Sequence, residues 1–171
     1  MRGSKCTSID AAFTHRLPNG VIELVLIEWK YTEKYAPRRI DPTNDAVRWG
    51  RYGSTWSAPD SPVRTDLVSF DTLLAEPFYQ LMRQQLLAWR IENDPAQDAG
   101  RVKVVHVHSP ANDAYQHSIY TPALAALGDK VDEVWSKLLK YPDRYSVMNP
   151  TVFCDPSVTS AEYVLRYAEG S

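Results

Sequence analysis

Residues 8–33 read SIDAAFTHRLPNGVIELVLIEWKYTE, and this stretch decides the fold class. An acidic residue, Asp10, precedes the turn signal Pro18-Asn19-Gly20, and a nearly continuous apolar run follows from Val21 to Tyr31. A Pro-Asn-Gly turn between two runs of strand-forming residues is typical of a β-hairpin. We therefore predict a strand at 6–13 that pairs with the apolar run and places Asp10 on the neighbouring strand.

The apolar run ends in Glu28-Trp29-Lys30, which sets a charged pair on a strand that otherwise reads as buried. Successive side chains on a strand point to opposite faces, so Glu28 and Lys30 share one face, and Trp29 faces the other way with Val25 and Ile27. Burying an unpaired charge is costly, so each charge needs a partner. We expect two carboxylates, with Asp10, and one ammonium to converge.

Two carboxylates beside a lysine suit metal-assisted hydrolysis of a phosphodiester. Carboxylate oxygens are ligands that Mg²⁺ prefers, and the ion keeps positions for water and a phosphate oxygen. The lysine would position the attacking water or neutralise charge in the transition state. A salt bridge without a metal is the alternative, because acidic and basic residues two positions apart are common and contribute little.

Composition limits the classes of protein that fit. The 171 residues, 44% hydrophobic and 23% charged, predict one globular domain spanning 1–171. A net charge of −2 excludes a protein that binds nucleic acid through an overall basic surface. Any nucleic-acid binding would require a local basic patch. Two cysteines without a CxxC pair or an apolar leader predict a cytoplasmic protein with reduced thiols, and no apolar run is long enough to span a membrane.

The remaining elements alternate between helix and strand, which predicts an α/β or α+β fold. We predict a long irregular segment at 32–66, a short helix at 69–75, a helix from Glu76-Pro77 to Trp89, a strand at 101–109, a helix at 129–140 capped by Asp129, and a last helix from Thr159 to Gly170.

Residues 30–52 carry six cationic side chains against three carboxylates, with four aromatic residues interleaved. Cations with aromatic faces track a phosphate backbone and stack on bases, and the alternative is a solvated loop with aromatic anchors. The candidate nucleic-acid-binding residues, besides Lys30, are Lys34, Arg38, Arg39, Arg48 and Arg51.

His106 and His108 share a strand face, but no third ligand with fitting spacing accompanies them, so hydrogen-bonded strand histidines are favoured over a zinc site. Asn112 and Asp113 follow the strand and are predicted to cap or turn the chain. Neither cysteine lies in a catalytic signature.

"TSIDAA" followed by "LVLIEWKYTE" resembles the core motif of the PD-(D/E)xK nuclease superfamily, which has the restriction-endonuclease-like fold. The similarity is greatest to a bacterial branch with S-x-D-A followed by I-E-x-K-Y-x-E. Three further stretches, "FYQLMRQQLLA", "VVHVHSPANDAY" and "VWSKLLKYPDRY", are similar in order and character. The resemblance thus covers most of the chain from Thr7 onward.

This resemblance implies an α/β core with a central mixed sheet flanked by helices. It implies that Asp10, Glu28 and the carbonyl of Trp29 bind Mg²⁺ or Mn²⁺, that Lys30 acts on water, and that Gln84 or Gln85 completes the site, with Gln85 preferred. DNA is the implied partner, and a homodimer is compatible with it.

The superfamily usually has a helix before the Asp strand, and only six residues precede Thr7, so the chain is expected to be a fragment or to lack that helix. A member without it could bind nucleic acid or a protein without cutting.

Overall fold

A computed structural model of the chain describes residues 7–30, 33–109, 112–155, 157 and 159–167. Its strands are β1 (Ala11–Arg16), β2 (Ile22–Lys30), β3 (Arg101–His108) and β4 (Tyr145–Met148). Its α-helices are α1 (Pro42–Trp56), α2 (Phe78–Glu92), α3 (Asp113–Gln116), α4 (Pro122–Ala125), α5 (Val131–Leu138) and α6 (Ala161–Tyr167). Short 3₁₀ helices occupy Phe70–Leu73, Pro142–Arg144 and Pro150–Cys154.

The described strands form one mixed sheet in the order β1-β2-β3-β4. β1 pairs with β2 as an antiparallel hairpin, and β2, β3 and β4 run parallel. Helices flank this sheet, so the predicted α/β class with a central mixed sheet is confirmed and agrees with a restriction-endonuclease-like core.

The strand period divides β2 between two hydrophobic clusters. Leu26 packs in the main core with α2 and α5, and Glu28 and Lys30 continue along that face. Val25 and Ile27 lie in a smaller cluster on the other face, against which Trp29 and Phe153 pack. The predicted division of the strand, with Trp29 opposite the charged pair, is therefore confirmed.

The prediction of an irregular segment at 32–66 was wrong over 42–56, where α1 forms. The Asp41 carboxylate accepts a hydrogen bond from the Asn44 N–H, and Pro42 occupies the first turn. A proline at that position begins a helix because its missing N–H would have no partner there. Pro42 is therefore part of a helix start signal and does not interrupt the helix.

Several predicted boundaries shift. β1 begins at Ala11 and extends to Arg16, beyond the predicted 6–13, because its register follows β2. Lys130, and not Asp129, occupies the N-cap position of α5. The Ser160 hydroxyl accepts from the Tyr163 N–H at the start of α6, a role predicted for Thr159.

Three predictions fall outside the described residues: the start of the first strand at residue 6, the end of the apolar run at Tyr31, and the closing Gly170 of the last helix. No helix within the described residues is long and apolar enough to cross a membrane.

Candidate active site

Asp10 lies directly before β1, opposite the end of β2. Its N–H donates to the Ile27 carbonyl at 3.1 Å, and its Oδ2 accepts from the Trp29 N–H at 2.8 Å. Trp29 is the residue after Glu28, and the charge of Asp10 contributes to raising the pKa of Glu28, so the two carboxylates lie near each other. Both carboxylates therefore stand at one end of the hairpin.

Glu28 and Lys30 form a buried ion pair. The Lys30 Nζ lies 2.7 Å from Glu28 Oε1, and the two residues are 3% and 5% exposed. Asp10 is exposed, so the cluster opens to solvent on the β1 side. Asp10 is therefore the solvent-accessible member of the cluster, whereas Glu28 and Lys30 are shielded from solvent.

The pKa of Glu28 is raised. Burial is the main cause, and the charge of Asp10 adds to it, whereas the hydrogen bond and charge of Lys30 oppose it. Proximity of a second carboxylate disfavours ionisation of the first. A cation between these two carboxylates would relieve that repulsion.

The helix residue that reaches this cluster is Gln80, near the start of α2. Its Nε2 donates to Glu28 Oε1 at 2.5 Å, and its backbone N–H donates to Glu76 Oε2 at 3.1 Å. Burial raises the pKa of Glu76. Gln80 thus connects Glu28 to a further carboxylate that the sequence analysis did not include.

Gln84 and Gln85 lie elsewhere on α2. Gln84 Oε1 is 2.8 Å from His106 Nε2 in the core. Gln85 lines a separate cleft of about 300 Å³ with Trp89 and Glu92. Neither glutamine contacts Glu28 in the described structure.

Glu33 and Tyr35 complete the surroundings of Lys30. The Lys30 Nζ lies 3.9 Å from Glu33 Oε1. Burial raises the pKa of Tyr35, and the charges of Glu76, Glu33 and Glu28 raise it further, so the phenol lies within electrostatic range of these three carboxylates. The ExK spacing in the sequence identified Glu28. The neighbours Gln80 and Glu76 could be found only once α2 was placed against the sheet.

The strand histidines are hydrogen-bonded within the core, as predicted. His106 contacts the Tyr115 hydroxyl at 3.2 Å, besides Gln84, and His108 Nε2 lies 2.6 Å from Asp132 Oδ2. Burial lowers the pKa of His106 to about 3, so this ring stays neutral beside Lys30.

The predicted nucleic-acid-binding residues fall into two sets. Arg38 is paired with Asp45, and Arg48 lies 3.4 Å from the same carboxylate and stacks 4.2 Å from the Tyr79 ring centroid. These two arginines hold α1 in place. The exposed set comprises Lys34, Arg39 and Arg51.

Within the described residues, no three His, Cys, Asp or Glu side chains are grouped so that they alone could hold a metal ion. The carboxylates that lie near each other here are Asp10 and Glu28, and carboxylate oxygens are hard ligands of the kind that magnesium binds together with water.

Comparison with known proteins gives one family. The family model REase-ARP, described as restriction endonuclease associating with ARP, matches residues 1–168. No curated protein matches the chain, and no solved structure matches it.

Proposed function

The chain belongs to the family of restriction endonucleases associating with ARP, and from this premise we propose that it is a nuclease that hydrolyses DNA phosphodiester bonds with Mg²⁺ or Mn²⁺. Asp10, Glu28 and Lys30 are the proposed site. The family supports a nuclease, and the metal, the substrate and the residue roles are the proposal.

One observation carries this proposal. At the end of the hairpin, the Asp10 carboxylate accepts from the N–H of Trp29, the residue after Glu28, and a buried ammonium lies 2.7 Å from the Glu28 carboxylate. Burial of such a pair is weak evidence for stability, because desolvation offsets much of the attraction. A functional use explains why the sequence retains charges where apolar residues would pack.

The donor set fits a divalent cation. The pKa of Glu28 is raised mainly by burial, with a smaller contribution from the charge of Asp10, and a cation bound to both carboxylates would offset both effects. Asp10, Glu28 and the carbonyl of Trp29 would hold the ion. When bound, such an ion supplies a Lewis acid that acidifies water and offsets charge on the phosphate.

Each side chain has a task in this scheme. Asp10 is fixed by the Trp29 N–H, and Glu28 is fixed by Gln80 and Lys30, so neither carboxylate needs to reorganise when substrate binds. The Lys30 ammonium, adjacent to Glu28, can donate a hydrogen bond to a phosphate oxygen or to the attacking water. Its charge stabilises the negative charge that develops on the phosphate.

A second candidate is a catalytically inactive member that binds nucleic acid or a protein partner. Two observations favour it. Lys30 already neutralises Glu28 without a metal, and the family description names an association with ARP. In this second candidate, the Glu28–Lys30 ion pair only stabilises the end of β2, and the nucleic acid or protein partner binds elsewhere on the surface.

A cleavage assay separates the two candidates. The full chain is incubated with linear and circular DNA in Mg²⁺, in Mn²⁺ and in EDTA, alongside Asp10→Asn. The asparagine can still accept from the Trp29 N–H, so the fold is expected to persist. Cutting that needs the metal and is lost in Asp10→Asn supports the nuclease, and DNA binding without cutting supports the inactive candidate.

A further inference from the structure

A cleft of about 360 Å³ lies between α1 and α2, outside the Asp10–Glu28–Lys30 cluster. Arg51, Tyr52 and Thr55 line it from α1, and Arg83, Leu87 and Arg90 line it from α2. We call this feature the arginine cleft. Only Arg51 was among the residues predicted to bind nucleic acid, because the two α2 arginines lie far from the basic segment in sequence.

The arginine cleft concentrates positive charge. Among the described residues, three guanidinium groups and no carboxylate line it, although the Glu76 carboxylate is within electrostatic range of one of the three, Arg83. Most other arginines of the described structure have a carboxylate partner: Arg38 and Arg48 share Asp45, Arg64 pairs with Asp66, Arg101 with Glu23, and Arg144 with Glu92. Arg51 and Arg90 form no ion pair within the described residues. Like charges at close range repel, so an anion in the cleft would be stabilising.

The cleft and the proposed site both involve side chains of α2. Gln80, Arg83, Leu87 and Arg90 recur at intervals of three, four and three residues, which places them on one face of the helix. Gln80 contacts Glu28, and Arg90 lies about 15 Å further along the axis at 1.5 Å per residue. Arg83 lies between them and stacks on Tyr79 at 5.3 Å from the ring centroid. A strand leaving the carboxylates would meet these arginines in order.

We propose that the arginine cleft binds backbone phosphates of the DNA substrate on one side of the scissile bond. This inference rests on the proposed function for the position of the scissile phosphate. Guanidinium groups match phosphate geometry with paired hydrogen bonds. The hydroxyl groups of Tyr52 and Thr55 add neutral donors, as is common in contacts that position nucleic acid without reading its sequence.

The test is the salt dependence of DNA binding measured in EDTA, where no cutting occurs. The variant is Arg51→Gln/Arg90→Gln, and the control is Arg64→Gln/Lys130→Gln, which removes two exposed cations outside the cleft. Each lost phosphate contact lowers the slope of log K against log salt by about 0.9. We expect the cleft variant to lose about 1.8 of slope and the control to match the parent.

Binding without divalent cation keeps this test separate from the test of catalysis. A parent that binds DNA but never cuts, with the slope reduced only in the cleft variant, supports the cleft and refutes the nuclease. A parent that cuts DNA, with equal slopes in parent and cleft variant, refutes the cleft and leaves the nuclease in place. Equal losses of slope in the cleft and control variants also overturn the proposal, because they indicate that DNA is attracted by the net charge of the protein and not by the arginine cleft. Melting temperatures of both variants verify that they are folded.

Discussion

The Lys30 ammonium lies 2.7 Å from Oε1 of Glu28 where β2 ends, and both side chains are almost fully buried. Each is the counter-ion of the other, and Gln80 supplies a further hydrogen bond to the same carboxylate oxygen. The pair therefore links the sheet to the start of α2. Removing this ion pair should therefore change the stability of the fold, and this effect can be measured separately from any effect on catalysis.

Breaking this pair from one side is expected to be costly. Lys30→Met leaves Glu28 buried without its cation, and Glu28→Gln leaves Lys30 without its anion, so each should lower the free energy of unfolding by about 3 kcal/mol. The double variant should recover part of that loss, because no unpaired charge remains. Urea unfolding of the four proteins measures the coupling.

The matched control is the exposed pair of Glu133 and Lys137 on α5, whose N–O distance is 2.6 Å. Glu133→Gln should change stability little, since solvent screens exposed pairs. Additive losses for the two buried-pair variants would contradict a mutual counter-ion role.

Divalent cations should stabilise the parent protein. An ion that binds only the folded state at 100 times its Kd adds about 2.7 kcal/mol, which corresponds to a rise in melting temperature of about 5 °C or more for a chain of this size. Asp10→Asn should show no such rise, although its amide can still accept from Trp29. Differential scanning fluorimetry with Mg²⁺ and Mn²⁺ measures this, and equal shifts in both proteins would exclude Asp10 as a ligand.

Gln80 is expected to position Glu28 for metal binding. Gln80→Leu should weaken Mn²⁺ affinity roughly 10-fold or more, as for other residues that orient metal ligands. Gln85→Leu is the control, because Gln85 lies on the same helix but faces the cleft of Trp89 and Glu92. Isothermal titration with Mn²⁺ compares them, and a larger loss in Gln85→Leu would assign the role to Gln85 instead.

The His108–Asp132 pair predicts a pH dependence of stability. Burial would lower the pKa of His108, but the hydrogen bond and charge of Asp132 and the Ser109 carbonyl outweigh it, so the pKa is raised above 6.5. A raised histidine pKa stabilises the fold fully below its ordinary value, and the benefit is lost as pH rises through the folded value. The stability lost in His108→Gln should therefore be larger near about pH 6 than near about pH 9.

Asp132→Asn provides the reference background for that measurement. Without the carboxylate, burial lowers the pKa of His108 and only the hydrogen bond to the Ser109 carbonyl opposes it, so the pH dependence of the His108→Gln effect should vanish or change sign. An identical pH profile in both backgrounds would show that Asp132 does not hold the proton on His108.

Residue patterns predicted the parts of the fold that depend on local chemistry. The Pro-Asn-Gly turn and the apolar run predicted the hairpin, and strand alternation placed Glu28 and Lys30 on one face with Trp29 on the other. Helix α1 was missed because few of its side chains are buried, so it lacks a clear apolar stripe.

The rest of the site depends on how a helix rotates against the sheet. The sequence shows three glutamines in the apolar helix α2, namely Gln80, Gln84 and Gln85. Which of them contacts Glu28 cannot be told until α2 is packed against the sheet. Docking turns Gln80 to Glu28, Gln84 to His106, and Gln85 to a separate cleft. The arginine cleft likewise requires two helices far apart in sequence to pack together.

The most direct measurement is single-turnover DNA cleavage by the parent and by Lys30→Met at saturating protein and Mg²⁺, with DNA affinity measured separately in EDTA. Lys30 is assigned to charge that develops in the transition state, so the variant should cut at least about 100-fold more slowly, while its DNA affinity changes by about twofold or less. The folded fraction of Lys30→Met is verified under the assay conditions. Equal cleavage rates in the two proteins, or no metal-dependent cutting by a parent that binds DNA, would contradict the nuclease assignment.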